Sequence, residues 1–143
     1  MKFTWAASSE TIDWQELSDL YRIAPLGEKR AEDLIIVFGN SRYQCFVFHE
    51  GKLVGAGRVL SDGLDCAYIA DVAVHPEYQG HGLGKGIVSR LVESAKGHKK
   101  IILYAAVGKE PFYKKLGFAR MRTAMAIFKN QDQVREWGLI EAD

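Results

Sequence analysis

The sequence predicts one mixed α/β domain spanning residues 1–143, with elements in the order β-α-α-β-β-β-α-β-α-β. Three observations carry this reading. Apolar residues make up 48% and charged residues 26% of the 143, the balance of an ordinary globular chain with enough length for a real core. Segments of helical period alternate with β-rich runs. The run "QGHGLGKG" at residues 79–86 joins an apolar strand directly to a helix.

The elements follow in order. "MKFTWA" reads as a short first strand. Ser8 and Ser9 are N-cap candidates, with Glu10 and Asp13 bringing negative charge to the next turn. Trp14, Leu17, Leu20 and Tyr21 then fall at helical spacing, and Pro25 and Gly27 break the helix. Ala31, Leu34, Ile35 and Phe38 mark a second helix ended by Gly39 and Asn40. Two β-rich runs flank Glu50-Gly51, the signature of a tight hairpin turn. Gly55 and Gly57 inside the second run suggest a bulge or a close backbone approach.

"DCAYIADVAV" has so little polar character that it reads as a central strand. Residues 82–96 form a helix with Leu83, Ile87, Val88, Leu91, Val92 and Ala95 on one face, and Gly97 sits at its C-terminal end. "KIILYAAV" is another buried strand, Pro111 opens a short helix ending at Gly117, and "FARMRTAMAIF" reads as a final strand.

Composition excludes several classes. A net charge of +1 with no basic stripe argues against a nucleic-acid partner. No apolar run approaches the roughly 20 residues of a membrane helix, and the N-terminus lacks the apolar core of a secretory signal. The expected location is the cytoplasm. Cys45 and Cys66 are expected to be reduced, buried and apolar, and without C-x-x-C or His/Cys clustering no metal is expected.

The glycine run carries the function. Glycines at a strand-to-helix junction let backbone approach a ligand, and the first helical turn offers free N–H donors and a positive dipole end. Together they suit an anion, most naturally a phosphate. The P-loop pattern fails, because Gln79 stands at its first glycine and Gly86 at its hydroxyl position. The dinucleotide pattern G-x-G-x-x-G fails from Gly80 and from Gly82 alike. What fits is Gln79-x-x-Gly82-x-Gly84.

With the preceding "VAVHPEYQG" and the later "PFYKKLGF", this loop resembles the pyrophosphate loop of the GNAT superfamily of acyl-CoA-dependent N-acyltransferases, over roughly residues 42–128. The resemblance implies a mostly antiparallel, twisted sheet with a splayed central strand pair, and the pantetheine arm of acetyl-CoA lying in the gap. Backbone groups of Val72, Ala73 and Val74 would bond that arm, and one amide, that of Val72, would polarise the thioester carbonyl. Gln79, Gly80, His81, Gly82, Leu83, Gly84 and Lys85 would cradle the pyrophosphate, although Lys85 reads equally as a solvated lysine. Tyr113 matches the usual general acid, with a core tyrosine beside Phe112 and Phe118 as the plainer alternative. Phe112, Lys114 and Lys115 would border the adenine or its phosphate. Where many members carry an Asn that bonds the pantetheine, this chain has Ala106.

An alkylammonium with a pKa near 10.4 is neutral in only about one molecule per thousand near neutral pH, so the amine must lose a proton before attack. Asp71, beside Val72, is the candidate base, and an ion-paired carboxylate is its alternative. Tyr21, Arg22, Arg30, Arg42, Tyr43 and Phe46 are candidates to line the acceptor cleft, each also explicable as core or surface. The implied reaction is direct transfer of acetyl from acetyl-CoA to a small-molecule or peptide primary amine in a ternary complex. The resemblance also favours a homodimer. The competing reading is a non-catalytic acyl-CoA-binding module of the same fold that regulates a partner.

Overall fold

The computed structural model describes residues 1–142. Packing divides the chain into two compact units, Met1–Leu103 and a second that begins at Tyr104. The first holds a five-stranded sheet in the order β1-β2-β3-β4-β5: β1 (Thr4–Ala6), β2 (Tyr43–His49), β3 (Lys52–Ser61), β4 (Cys66–Val74) and β5 (Lys100–Ile102). The first four strands pair antiparallel and β5 joins β4 in parallel.

The β2–β3 turn is Glu50-Gly51, and both residues have positive φ, as a two-residue turn matched to strand twist requires. Helix α1 (Trp14–Ile23) begins at Asp13, whose carboxylate accepts from the amides of Gln15 and Glu16 at 2.9 and 3.2 Å. The cap is therefore Asp13 rather than Ser8 or Ser9, because only its carboxylate lies within reach of the first-turn amides. Helix α2 (Ala31–Gly39) buries Leu34 and Phe38, while Ile35 lies half in solvent.

The sheet is covered on both faces. Leu17, Leu20, Tyr21, Leu34 and Phe38 from α1 and α2 pack with Phe46, Leu53, Ala56 and Ala73 of the sheet, and the Phe38 and Phe46 rings stack at 5.5 Å. Each such Leu or Phe contributes roughly 1.5–3 kcal/mol by leaving water. On the other face lies α3 (Leu83–Ser94), which buries Leu83, Ile87, Val88 and Leu91. It comes so close to β3 that a Cβ on Gly55 or Gly57 would lie 2.9 Å from an Ile87 methyl. Gly55 and Gly57 thus mark both things their sequence suggested, a close approach and nearby irregular register.

Strand β4 changes character along its length. Cys66–Tyr68 pair with β3 on one side and β5 on the other, whereas from Ile69 onward no described strand pairs with the β5 side. β5 is accordingly shorter than the run "KIILYAAV" suggested. Between the pairs Ala56–Ala73 and Arg58–Ala70, the single Gly57 faces both Asp71 and Val72. This is a β-bulge, and Asp71 sits in it with φ +55°.

The second unit contains the short helices α4 (Glu110–Lys115) and α5 (Gln131–Glu136), the latter capped by the Asn130 side chain. The final strand expected over residues 118–128 is not formed. That stretch is irregular, with Met125 and Ile127 more than nine-tenths exposed. Its composition favours β structure, but a strand exists only against a partner, and none of the described strands pairs with it.

Candidate functional site

The glycine run lies where β4 gives way to α3. His75, buried, ends the strand, and its Nδ1 accepts from the Glu77 amide at 3.1 Å to cap one 3₁₀ turn, Pro76–Tyr78. Gly80 and Gly82 then take φ +86° and +74°. A side chain at either would meet nothing within 4 Å, so backbone conformation rather than crowding demands glycine there. Gly82 is also the N-cap of α3 and brings no capping side chain. The first amide with a helical partner is that of Gly86, which donates to the Gly82 carbonyl at 2.9 Å. The N–H groups of Leu83, Gly84 and Lys85 precede it and are the open donors every helix start leaves.

Gly86 differs from its neighbours. A Cβ there would lie 2.6 Å from the Trp5 ring, so this glycine serves packing. Trp5 in turn lies under the Arg90 guanidinium, 3.5 Å from ring centroid to Cζ, and Phe3 rests on the rings of His81 and Tyr78. The first strand therefore holds both the loop and the first turns of α3. Gln79, His81 and Lys85 are exposed. The donor set fits a diphosphate: free amides at a positive helix end, open space above two glycines and no acidic residue in the first turn.

Behind the loop, Val72, Ala73 and Val74 lie on the half of β4 that lacks a strand on its outer edge. Asp71, next in line, is held from three sides. The Tyr21 hydroxyl donates to its carbonyl at 2.8 Å, Arg58 Nε approaches Oδ2 at 2.7 Å, and Lys29 Nζ lies 3.4 Å from Oδ1. A non-glycine residue in the left-handed region costs on the order of 1–3 kcal/mol, and these contacts hold it there. Arg58 also reaches Ser41 Oγ at 3.3 Å, and Ser41 donates to the Val37 carbonyl at 2.6 Å. Burial and the negative charge of Asp71 raise the Tyr21 phenol well above its ordinary pKa, so it remains a donor.

Of the residues suggested for the acceptor side, Tyr21 is brought to Asp71. Phe46 belongs to the core, Arg22 and Arg30 pair with Asp19 and Glu32 at the surface, and Arg42 donates to the Tyr43 hydroxyl at 3.1 Å. Sequence reasoning missed Arg58 and Lys29. Arg58 left a signal, a single cation inside an otherwise apolar strand, but Lys29 sits in a polar loop and left none.

In the second unit, Tyr113 lies on α4 with its ring against Phe112 and Phe118, at 5.0 and 5.8 Å between centroids. Burial raises its phenol pKa above the ordinary value. Lys115 is exposed and Phe112 half-buried. No cluster of three His, Cys, Asp or Glu among the described residues is arranged to hold a metal ion, and no described helix is long and apolar enough to cross a membrane.

Comparison with known proteins agrees with this layout. Residues 8–118 match the Acetyltransferase (GNAT) family. The uncharacterized N-acetyltransferase ycf52 of Pyropia yezoensis is 42% identical over 125 residues, covering 83% of this chain and 72% of its own length. Serotonin N-acetyltransferase 2, chloroplastic, of Oryza sativa subsp. japonica is 38% identical over 59% of this chain and 45% of its own. Glucosamine 6-phosphate N-acetyltransferase of Trypanosoma brucei brucei is 38% identical over 48% and 52%. The chain thus spans about half the length of the latter two. Among solved structures, a GNAT-family acetyltransferase of Streptococcus pneumoniae TIGR4 shares the fold with a TM-score of 0.78 at 21% identity, over 91% of this chain and 99% of that one. By sequence, the chain belongs to the GNAT family of acetyltransferases.

Proposed function

We propose that the protein transfers an acetyl group from acetyl-CoA to a primary amine in a ternary complex, within a reducing compartment such as the cytoplasm. One observation carries the reading: a row of unpartnered amides at the mouth of α3, directly after a bulged strand whose outer edge has no strand partner. Acetyl-CoA supplies an already activated thioester, so no enzyme nucleophile is required. Cys45 is unsuited to that task in any case, its thiol pushed up to about 11 by burial.

The roles follow from the chain. The amides of Gly80 to Lys85 hold the diphosphate, and the Lys85 ammonium adds charge. Gln79 and His81 flank the loop. The backbone of Val72, Ala73 and Val74 lies along the pantetheine, and the Val72 N–H points its dipole at the developing oxyanion. Asp71 receives the amine proton, directly or through water. Tyr113 returns a proton to the departing thiolate, with Phe112 and Lys115 beside the adenine end. These last three roles rest on the family resemblance of "PFYKKLGF".

The test is CoA release from acetyl-CoA with an amine panel that includes serotonin and glucosamine 6-phosphate, the compounds named by two relatives. The native protein turns over at least one amine. Tyr113→Phe retains CoA affinity and loses about 10²–10⁴ in kcat. Because burial raises the Tyr113 pKa, its acid form persists through neutral pH and its alkaline loss of kcat falls above about pH 10. Saturable CoA binding without turnover on any amine would instead favour a regulatory acyl-CoA-binding module. Absence of CoA binding would remove both.

A further inference from the structure

Asp71 carries two cations where one neutralises it. Arg58 is the near partner, at 2.7 Å with a side chain only 14% exposed. Lys29 is the far one, at 3.4 Å and twice as exposed. Lys29 also stands apart from its own segment. It is the one residue of the stretch 25–30 that is not exposed. Ser18 Oγ donates to its carbonyl at 2.5 Å, which pins the backbone while the side chain turns inward. Its Nζ lies between the Asp71 carboxylate and the face of Tyr21, 5.6 Å from the ring centroid. A carboxylate on one side and an aromatic face on the other form a receptor for a primary ammonium. On the same sheet face, opposite Arg58, Gln44 keeps a buried Oε1 that meets no donor among the described residues.

We infer that this receptor is the subsite for the ammonium group of the acceptor, and that Lys29, itself an alkylammonium, occupies it as a resident competitor. The inference deepens the acetyl-transfer reading and rests on it for one step: Asp71 adjoins Val72, so an ammonium held here stands beside the proposed oxyanion donor. Arg58 stays in place when Lys29 leaves, and the carboxylate remains neutralised and anchored. Displacement is therefore cheap. A partly exposed ion pair of this kind is worth at most about a fivefold change in an equilibrium.

The experiment uses n-butylammonium, which reproduces the end of a lysine side chain, with n-butanol as the uncharged control. Binding is followed by amide chemical shifts at constant ionic strength and without acetyl-CoA. Lys29→Ala and Lys29→Met, the second keeping most of the stem, should each bind n-butylammonium about two- to fivefold more tightly than the native chain. n-Butanol should show no gain, and Asp71→Asn should abolish the gain in either background. With any amine that turns over, both Lys29 variants should lower its KM by the same factor while kcat holds. Unchanged or weaker butylammonium binding in both folded variants, or an equal gain for butanol, would overturn the inference and leave Lys29 a structural ion pair. The expected binding pattern without turnover on any amine would keep the subsite and sink acetyl transfer. Turnover without that pattern would do the reverse.

Discussion

The loop at Gly80–Gly82 and the seam between α3 and the sheet both depend on glycine, for different physical reasons. In the loop, added side chains would meet open space, and what matters is a left-handed backbone that turns amides toward the helix mouth. Along the seam, at Gly55, Gly57 and Gly86, φ is ordinary and what matters is volume. A Cβ there would collide with Val47, Ile87, Leu91 or Trp5. The stretch "GHGLGKG" thus mixes two kinds of glycine that the sequence alone shows as one pattern. The comparison teaches that the count of glycines overstates the ligand site, because Gly86 belongs to the packing.

The contrast can be broken by substitution. Gly57→Val, the largest expected effect, overpacks Ile87 and Leu91 and should cost about 3 kcal/mol, lowering Tm by about 6–12 °C. CoA affinity of the folded fraction should stay the same. A CoA-binding loss larger than the stability loss would merge the two regions into one. Gly82→Val is next. By disturbing the amide row it should weaken CoA binding about 10–100-fold, the loss of one or two charge-assisted hydrogen bonds. Gly82→Asn, which tolerates the left-handed region, should lose less, and isothermal titration of the two variants ranks them. Equal affinities for Val, Asn and Gly at this position would refute a backbone role.

The smallest effect sharpens the seam side. Cys45 pairs with Gly57 across β2 and β3, and burial pushes its thiol up to about 11. A thiol whose pKa is raised by folding contributes stability that is complete below its unfolded value near 8.5 and is lost as pH rises toward 11. Relative to Cys45→Ala, the native chain should lose about 1 kcal/mol between pH 8 and 9.5, read by denaturant melts. A native-minus-variant difference that is flat with pH would show that the seam admits water.

Much of this was legible in the sequence where the cause is local. The Glu50-Gly51 turn, the breaks at Pro25 and Gly39, the start of α4 at Pro111 and the glycine loop all follow from short-range preferences, and the structure has them in place. The misses share a cause of another kind. The positive φ of Asp71 is imposed by the β3 register and by contacts with Tyr21, Arg58 and Lys29, residues 50, 13 and 42 positions away in the chain. The run at 118–128 has strand composition, yet pairing is decided by another segment. Asp13 displaced Ser8 and Ser9 as cap because the helix began later than its charge pattern implied.

The bulge at Asp71 and Val72 also constrains how this chain can vary. One extra residue on β4 sets the inward and outward sequence positions of Ala73 and Val74 out of step with those before Ala70. Deleting a single codon there would straighten the ladder and turn one half of the strand inside out. Point changes in β4 are therefore tolerable one at a time, whereas a change of length by one is not. Natural variants of this segment should differ in spelling and keep their count.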